Sequence, residues 1–369
     1  MPNGARMSGR NKLVELIELA KEPSSHRRRD LLREVTDVFF VEKFDGAGQT
    51  ADFDAILQKL SIEMEEAVRI ELAERFAIRT DAPSGLMRML ALDAPAVARP
   101  VLEQSPVLSE QDLLDVARTR GQAHLRAMSG RPDLSERVTD AIVETADDDT
   151  LGVLARNDSA ILSRASHETL VDRAAQNPAL QAAVVERGSL PPDLLNEMYF
   201  MVEGRLKATI LARNEGLDPK ALDEALASSR KRLAAQAGAL PPDFADAEQF
   251  VRGLVARNAI TPTVLVKLLR AGQRTHFILA LSETTDIDFN TARRVIDRQD
   301  LDALAILCKA ADFERSLFLT FAILLLSPKE AMGRAAEYGQ LYSELSKETA
   351  GRTMRFWRVR RETEGAVAA

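Results

Sequence analysis

Apolar positions recur along this chain on two scales. Over short windows they follow helical spacing: Leu134, Val138, Ala141 and Ile142 share one helix face, as do Ile260, Val264, Leu268 and Leu269. Over longer distances the same opening returns. "LSEQDLL" at Leu108, "LSERVTDAI" at Leu134, "LSRASHETL" at Leu162, "LPPDLLNEM" at Leu190 and "LDPKALDEAL" at Leu217 lie 26, 28, 28 and 27 residues apart. Ile260 and Ile287 open two further units with a spacing of 27. Two helical stretches per unit predict helical hairpins. A unit this short cannot bury its own apolar face, so it must stack on its neighbours. No segment alternates Val, Ile, Thr and aromatic residues between turn signals, so almost no strand is expected.

Helix boundaries are marked as well. Asp218-Pro219 and Thr261-Pro262 place an N-capping side chain before a proline at the first helical position, and Ser109 with Asp112 forms a capping-box pattern. The phrase Ala-Arg-Asn ends "LARN" at 154–157, recurs in "LARNEG" at 211–216 and ends "VARN" at 255–258. Asn157, Asn214 and Asn258, with Gly130 and Gly188, suit left-handed C-caps, and the arginine before each Asn lies where a helix C-terminus favours a cation. The pattern divides the chain into an N-terminal helical cap (1–89), a repeat array (90–227), an insertion or hinge (228–259), further repeats (260–326), and C-terminal helices with a frayed tail (327–369). Within the cap, "DGAGQTAD" (45–52) is expected to be a Gly-rich loop.

Composition narrows the function classes. The chain is 46% hydrophobic but 5% aromatic, which favours helix. A net charge of -7 argues against a general polyanion binder. One cysteine, Cys308, excludes an intrachain disulfide and a cysteine-rich zinc site. The opening "MPNGARMSGRNKL" has no apolar signal core, and the apolar run Leu317 to Leu326 is too short to span a bilayer, so a cytoplasmic location is the default expectation.

Residues 90–144, with the ordered pieces "ARPVLEQSPVLSEQDLL", "QAHL" and "LSERVTDAIVE", resemble a bacterial family of uncharacterised proteins, domain of unknown function number 2336. The likeness continues more loosely from Lys12 to Leu326. It implies no activity and no catalytic residues. The hairpins separately resemble HEAT repeats and leucine-rich variant repeats. The expected fold is therefore all-α: a right-handed α-solenoid of HEAT-like helical hairpins with an N-terminal helical cap.

Candidate chemistry is sparse. His124, in "RGQAHLRAMSG", lies near Arg120, Gln122 and Arg126 and would serve a phosphorelay or anion site if exposed, but the sequence lacks a His-x-x-Lys-Gly pattern. His26, His167 and His276 have no second histidine at i+3 or i+4, so no metal is expected. Asp147-Asp148-Asp149 lacks the glycine and glutamate of a calcium loop and reads as a helix N-terminus. Cys308 reads as core. Arg156, Arg213 and Arg257 are candidates for a partner-binding ladder along one edge of the array. "HRRRD" (26–30) opens a helix, and "RTMRFWRVRR" offers Arg355, Trp357 and Arg358 for an anionic partner if they are not folded onto the body. No phosphate loop, GxSxG, HExxH or dinucleotide fingerprint occurs, and neither a cofactor nor catalysis is expected. The leading expectation is a non-enzymatic scaffold or regulatory adaptor that binds a protein or peptide in its groove. The alternatives are a nucleic-acid-binding HEAT-like protein and a phosphorelay component using His124.

Overall fold

The computed structural model describes residues 33, 36, 47–62, 64–216, 240–326 and 328–367. The described residues form twenty helices and no strand, so the chain is all-α. It divides into two compact units, residues 1–189 and 190–369.

The first unit carries α1 (Ala47–Ile62), α2 (Glu66–Phe76), α3 (Ser84–Ala91), α4 (Pro95–Gln104), α5 (Glu110–Thr119), α6 (Gln122–Ser129), α7 (Glu136–Thr145), α8 (Asp148–Arg156), α9 (Arg164–Gln176) and α10 (Pro178–Glu186). Helices pack on those two places along: α2 on α4, α4 on α6, α6 on α8 and α8 on α10, with α1 on α3, α5 on α7 and α7 on α9 in the other series. The starts follow the sequence period, as α5, α7 and α9 begin at Glu110, Glu136 and Arg164. Ser109 and Asp112 form the expected capping box on α5, and Asp147 caps α8 through the Thr150 N–H at 2.8 Å. The supposed Gly-rich loop is a correction. It is helical from Ala47, with Gly48 in the first turn where it weakens the helix least, and Asp54 of α1 accepts the Gly85 and Leu86 N–H groups at 2.8 and 2.7 Å, fixing the start of α3.

Three side chains knit this unit together at helix C-termini. Arg131 donates to the Leu102 and Ser105 carbonyls at the end of α4. Asn157 donates to Ser129 O at 2.9 Å and Arg131 O at 2.6 Å at the end of α6. Arg187, 1% exposed, donates to Leu154 O (3.0 Å), Ala155 O (3.3 Å), Asn157 O (2.8 Å) and Ala160 O (2.5 Å) at the end of α8. Each satisfies carbonyls that a helix end leaves without intrahelical donors.

The second unit carries α11 (Pro192–Met198), α12 (Arg205–Glu215), α13 (Phe244–Ala256), α14 (Pro262–Arg270), α15 (Arg274–Thr285), α16 (Phe289–Asp297), α17 (Leu301–Ala310), α18 (Arg315–Leu325), α19 (Pro328–Glu344) and α20 (Lys347–Val367). Here α13 packs on α15, α15 on α17, and α14 on α18, while α20 lies against α11, α12, α16 and α17. α13 falls inside the expected insertion, yet it packs as a regular member of the series. Asp218-Pro219 and the unit opening at Leu217 lie outside the described residues.

Five helix ends in this unit close within their own turn, although side chains also reach end carbonyls, as Arg274 does to Ile296 O at 2.8 Å and Gln299 to Leu325 O at 2.7 Å. Asn258, Gly272, Asp286, Gln299 and Asp312 all have φ between 52° and 69°. Each is followed by a residue whose N–H returns to the carbonyl five residues back: Ala259 to Leu254, Gln273 to Leu268, Ile287 to Ser282, Asp300 to Val295 and Phe313 to Cys308. These are Schellman turns repeated every 13 or 14 residues. The left-handed reading of the Asn and Gly positions therefore holds for Asn258 and is corrected elsewhere. Asn157 (φ -87°) and Gly130 (φ -82°) are not left-handed, and Gly188 is not among the residues of positive φ. Asn214 lies within α12, where its buried amide exchanges hydrogen bonds with Asn196 and donates to Thr353 at 3.2 Å.

Candidate functional site

Most groups capable of chemistry are already committed to structure. His124 is 6% exposed and donates through Nε2 to Asp93 O at 2.8 Å. A phosphoryl acceptor must reach solvent, so the exposed-histidine premise is corrected. Asp93 itself takes a bidentate bond from Arg69 at 2.6 and 2.9 Å; burial opposes its ionisation, but these bonds hold its carboxyl below the usual range. Cys308 is fully buried and desolvation pushes its thiol up, away from nucleophilic use. Among the described residues no cluster of His, Cys, Asp and Glu could hold a metal.

Two of the three arginines of the recurring phrase turn back onto their own helices. Arg156 donates to Gly152 O at 3.0 Å and Arg257 to Gly253 O at 2.8 Å; Arg213 is half-buried on α12. Arg156 belongs to the first unit and the other two to the second. Other arginines of the first unit pair with carboxylates roughly one repeat away, as in Arg88–Asp112 at 2.5 Å and Arg69–Asp93 at 2.6 Å. On α20, Phe356 and Trp357 are buried. Trp357 packs its ring against Tyr199 and Phe200 at centroid distances of 5.6 and 5.0 Å, so it is unavailable for stacking on a base, correcting that reading. Arg355 is exposed, while Arg358 is half-buried and reaches Thr285 O at 3.4 Å. "HRRRD" lies outside the described residues.

Two concavities of the second unit remain. A polar cleft of about 350 Å³ opens between the α11–α12 loop and the start of α17, lined by Glu203, Lys207, Arg298, Asp300 and Tyr338 among others. Its central groups satisfy one another. Lys207 Nζ lies 2.6 Å from Asp300, 3.9 Å from Asp302 and 5.1 Å from the centroid of the Tyr199 ring; Asp300 also caps α17, and Arg298 donates to Phe200 O. Desolvation, then the nearby Asp300 and Asp302, raise the buried Tyr199 phenol well above its usual range.

The second concavity is larger, about 600 Å³, and runs between α14 and α18. Thr263, Val266, Lys267 and Arg270 recur at helical spacing along one wall; Phe313, Ser316, Leu317 and Thr320 form the other. Val266, Phe313 and Leu317 give it an apolar floor and are only half-buried. The reason lies in α18. Its sequence, "RSLFLTFAILL", is apolar around most of its circumference, but only Phe318, Phe321, Ala322 and Leu325 are fully buried, and Ile323 is 50% exposed. A helix that is apolar on all sides needs cover on all sides. Among the described residues neither Lys267 nor Arg270 has a salt-bridge partner, whereas across the groove Asp312 meets Lys347 at 2.9 Å at the surface.

Residues 97–355, from within α4 into α20, match the family described as uncharacterised protein conserved in bacteria (DUF2336). The chain belongs to that family. The matched span of DUF2336 covers parts of both units and includes the whole α14–α18 groove. No curated protein and no solved structure matches the chain. No helix among the described residues is long and apolar enough to cross a membrane.

Sequence reasoning missed the groove because its walls come from two different hairpins, and the spacing that exposes Val266 and Leu317 together is set by packing. It also missed the clasping arginines. A signal existed for these: Arg131 and Arg187 lie two residues beyond α6 and one beyond α10 and stand 56 residues apart, two repeats.

Proposed function

We propose that this DUF2336 protein is a non-enzymatic interaction protein, a right-handed α-solenoid of HEAT-like hairpins that holds a partner protein or peptide and acts as a scaffold or regulatory adaptor. The solenoid reading is supported by the repeated packing of each helix on the helix two places along, at a sequence period of about 27. One observation carries the binding reading: the α14–α18 groove is large, open and apolar-floored, while the ionisable groups of the polar cleft neutralise one another. Repeat stacks use such concave surfaces for extended partners. Nucleic acid gains no support from the phrase arginines, since Arg156 and Arg257 donate to their own helices.

The test is site-directed photo-crosslinking in bacterial cells, with benzoylphenylalanine in place of Thr263 or Ser316 in the groove and of the exposed Thr119 in the first unit. A discrete protein adduct from the two groove positions and none from Thr119 is expected. Adducts that vanish with nuclease, or groove positions no more reactive than Thr119, would defeat the proposal.

A further inference from the structure

From the charges on the two walls of this groove, and resting on the docking reading above, we infer that its occupant is a single amphipathic helix of a partner protein with acidic residues along one flank of its apolar face and basic residues along the other. The groove is walled by two helix faces, 263–266–267–270 and 313–316–317–320, and its floor is apolar. A helix laid between two helices inserts side chains spaced i, i+3/i+4 and i+7, and this spacing matches the periodicity of both walls. α14 is nine residues long, about 13 Å at 1.5 Å per residue, so two to three turns of the occupant are engaged.

Charge fixes the rest. Lys267 and Arg270, one turn apart and both exposed, stand on the α14 wall; Asp312 and Glu314 stand on the α18 side, also exposed. Among the described residues the Glu314 carboxylate accepts only from the Ser316 hydroxyl, and Asp312 is in a surface pair with Lys347 that solvent screens. The last turn of α14 favours cations and the start of α18, where Glu314 is the N-cap, favours anions, each through its helix dipole; the packing of α14 on α18 then sets the two charges on opposite sides of an apolar floor. A helix with uniformly acidic or uniformly basic flanks meets like charge on one wall. A helix with one flank of each sign meets opposite charge on both, and reversing its direction exchanges the flanks, so either handed arrangement of the charges finds a matching orientation. Complementary flanks of this kind govern partner choice more than total affinity.

Three synthetic helical peptides with one shared leucine face test the idea against the full chain at low salt, by fluorescence anisotropy: one with glutamates on one flank and lysines on the other, one with glutamates on both, one with lysines on both. The mixed peptide is expected to bind about tenfold more tightly than either uniform peptide. In the double variant Lys267→Glu/Arg270→Glu both walls are acidic, and the preference is expected to move to the all-lysine peptide. The inference is overturned if the mixed peptide is not preferred, or if the double variant leaves the ranking unchanged. Val266→Asp in the floor and Thr320→Trp, which fills the groove, separate the two levels, with helical content checked by circular dichroism. Loss of binding in both variants, with all three peptides equal on the unaltered chain, retains the groove as a docking surface and rejects the charge pattern. Binding that survives both variants, or no binding by any peptide, rejects the groove itself along with its occupant.

Discussion

The two units end their helices by different means, although the sequence repeats with one period. In the first, the carbonyls at the ends of α4, α6 and α8 are satisfied by side chains from the following hairpin: Arg131, Asn157 and Arg187. Asp133 is its only described residue with positive φ. In the second, five successive helices from α13 to α17 close by a left-handed residue and a backbone hydrogen bond within the same turn. The first arrangement makes each helix end depend on its neighbour, so local damage spreads along the stack. The second arrangement closes each helix end within its own turn, and side chains from elsewhere add to two of them, Arg358 at Thr285 O and Arg274 at Ile296 O. In the first unit these closures are bonds between neighbouring hairpins, whereas in the second the α14 wall of the open groove ends on its own backbone turn and the α18 wall ends on Gln299.

The largest expected effect comes from cutting the most buried clasp. Arg187→Met retains much of the side chain's volume but removes every donor from the carbonyls of Leu154, Ala155, Asn157 and Ala160. An unsatisfied buried polar group costs about 1–3 kcal/mol, and the combined loss is expected at about 3–5 kcal/mol. Replacing both members of a buried polar pair can be harmless, but backbone carbonyls cannot be replaced. The one tryptophan, Trp357, and all three tyrosines lie in the second unit, so their signals report that unit alone. Hydrogen exchange across α8–α10 should accelerate by orders of magnitude while Trp357 fluorescence melts as before. Equal weakening of both units would show that the clasp is not confined to its own unit.

A smaller effect follows from His167, buried beside Arg187. Its Nδ1 donates to Ser163 O at 2.9 Å and its Nε2 faces the Ser189 hydroxyl at 3.4 Å. Desolvation lowers its pKa, the bond to Ser163 opposes this, and the charges of Arg187 and Arg164 add to the lowering. The unfolded chain therefore takes up the proton at higher pH than the folded one. The stability this neutral histidine confers is complete above the usual histidine pKa of about 6.5 and is lost as pH falls below it. Exchange protection in α9–α10 should decline from pH 7 to pH 5, ahead of the carboxylate titrations. His167→Asn, which keeps a donor for Ser163 O, should flatten that decline. A profile already flat in the unaltered chain, or a slope that persists in the variant, excludes this histidine as its source.

The helical class, the repeat period and several N-caps were legible because each is local: Ser109 and Asp112, or Thr261 and Pro262, declare a helix start within four residues. Helix ends were half legible. Asn258, Gly272, Asp286, Gln299 and Asp312 stand 14, 14, 13 and 13 residues apart, a rhythm open to inspection, but Gln299 and the two aspartates lack the usual glycine signature of a left-handed residue. The contacts that bury His124 and Trp357 and the exposure of Val266 and Leu317 were not legible. Each depends on a contact 31 or more residues away, or on a face that no described helix covers, and periodicity marks an apolar position without saying which neighbour fills it.

The smallest contrast is also the sharpest, since it applies one substitution to one phrase in two settings. Asn157 and Asn258 both follow Ala-Arg. Asn157 has ordinary negative φ and spends its amide on Ser129 O and Arg131 O, so Asn157→Gly should cost about 1–3 kcal/mol through the two carbonyls left behind. Asn258 has φ 52° and an exposed side chain. Glycine accepts that backbone without strain, and its greater freedom in the unfolded chain offsets the gain, so Asn258→Gly should change stability by no more than about 0.5 kcal/mol. Denaturant melts of the two variants, followed by exchange in α6–α8 and by Trp357 fluorescence respectively, measure both. If Asn258→Gly were the more damaging, the end of α13 would depend on its side chain after all, and the distinction between backbone-closed and clasped ends would fail.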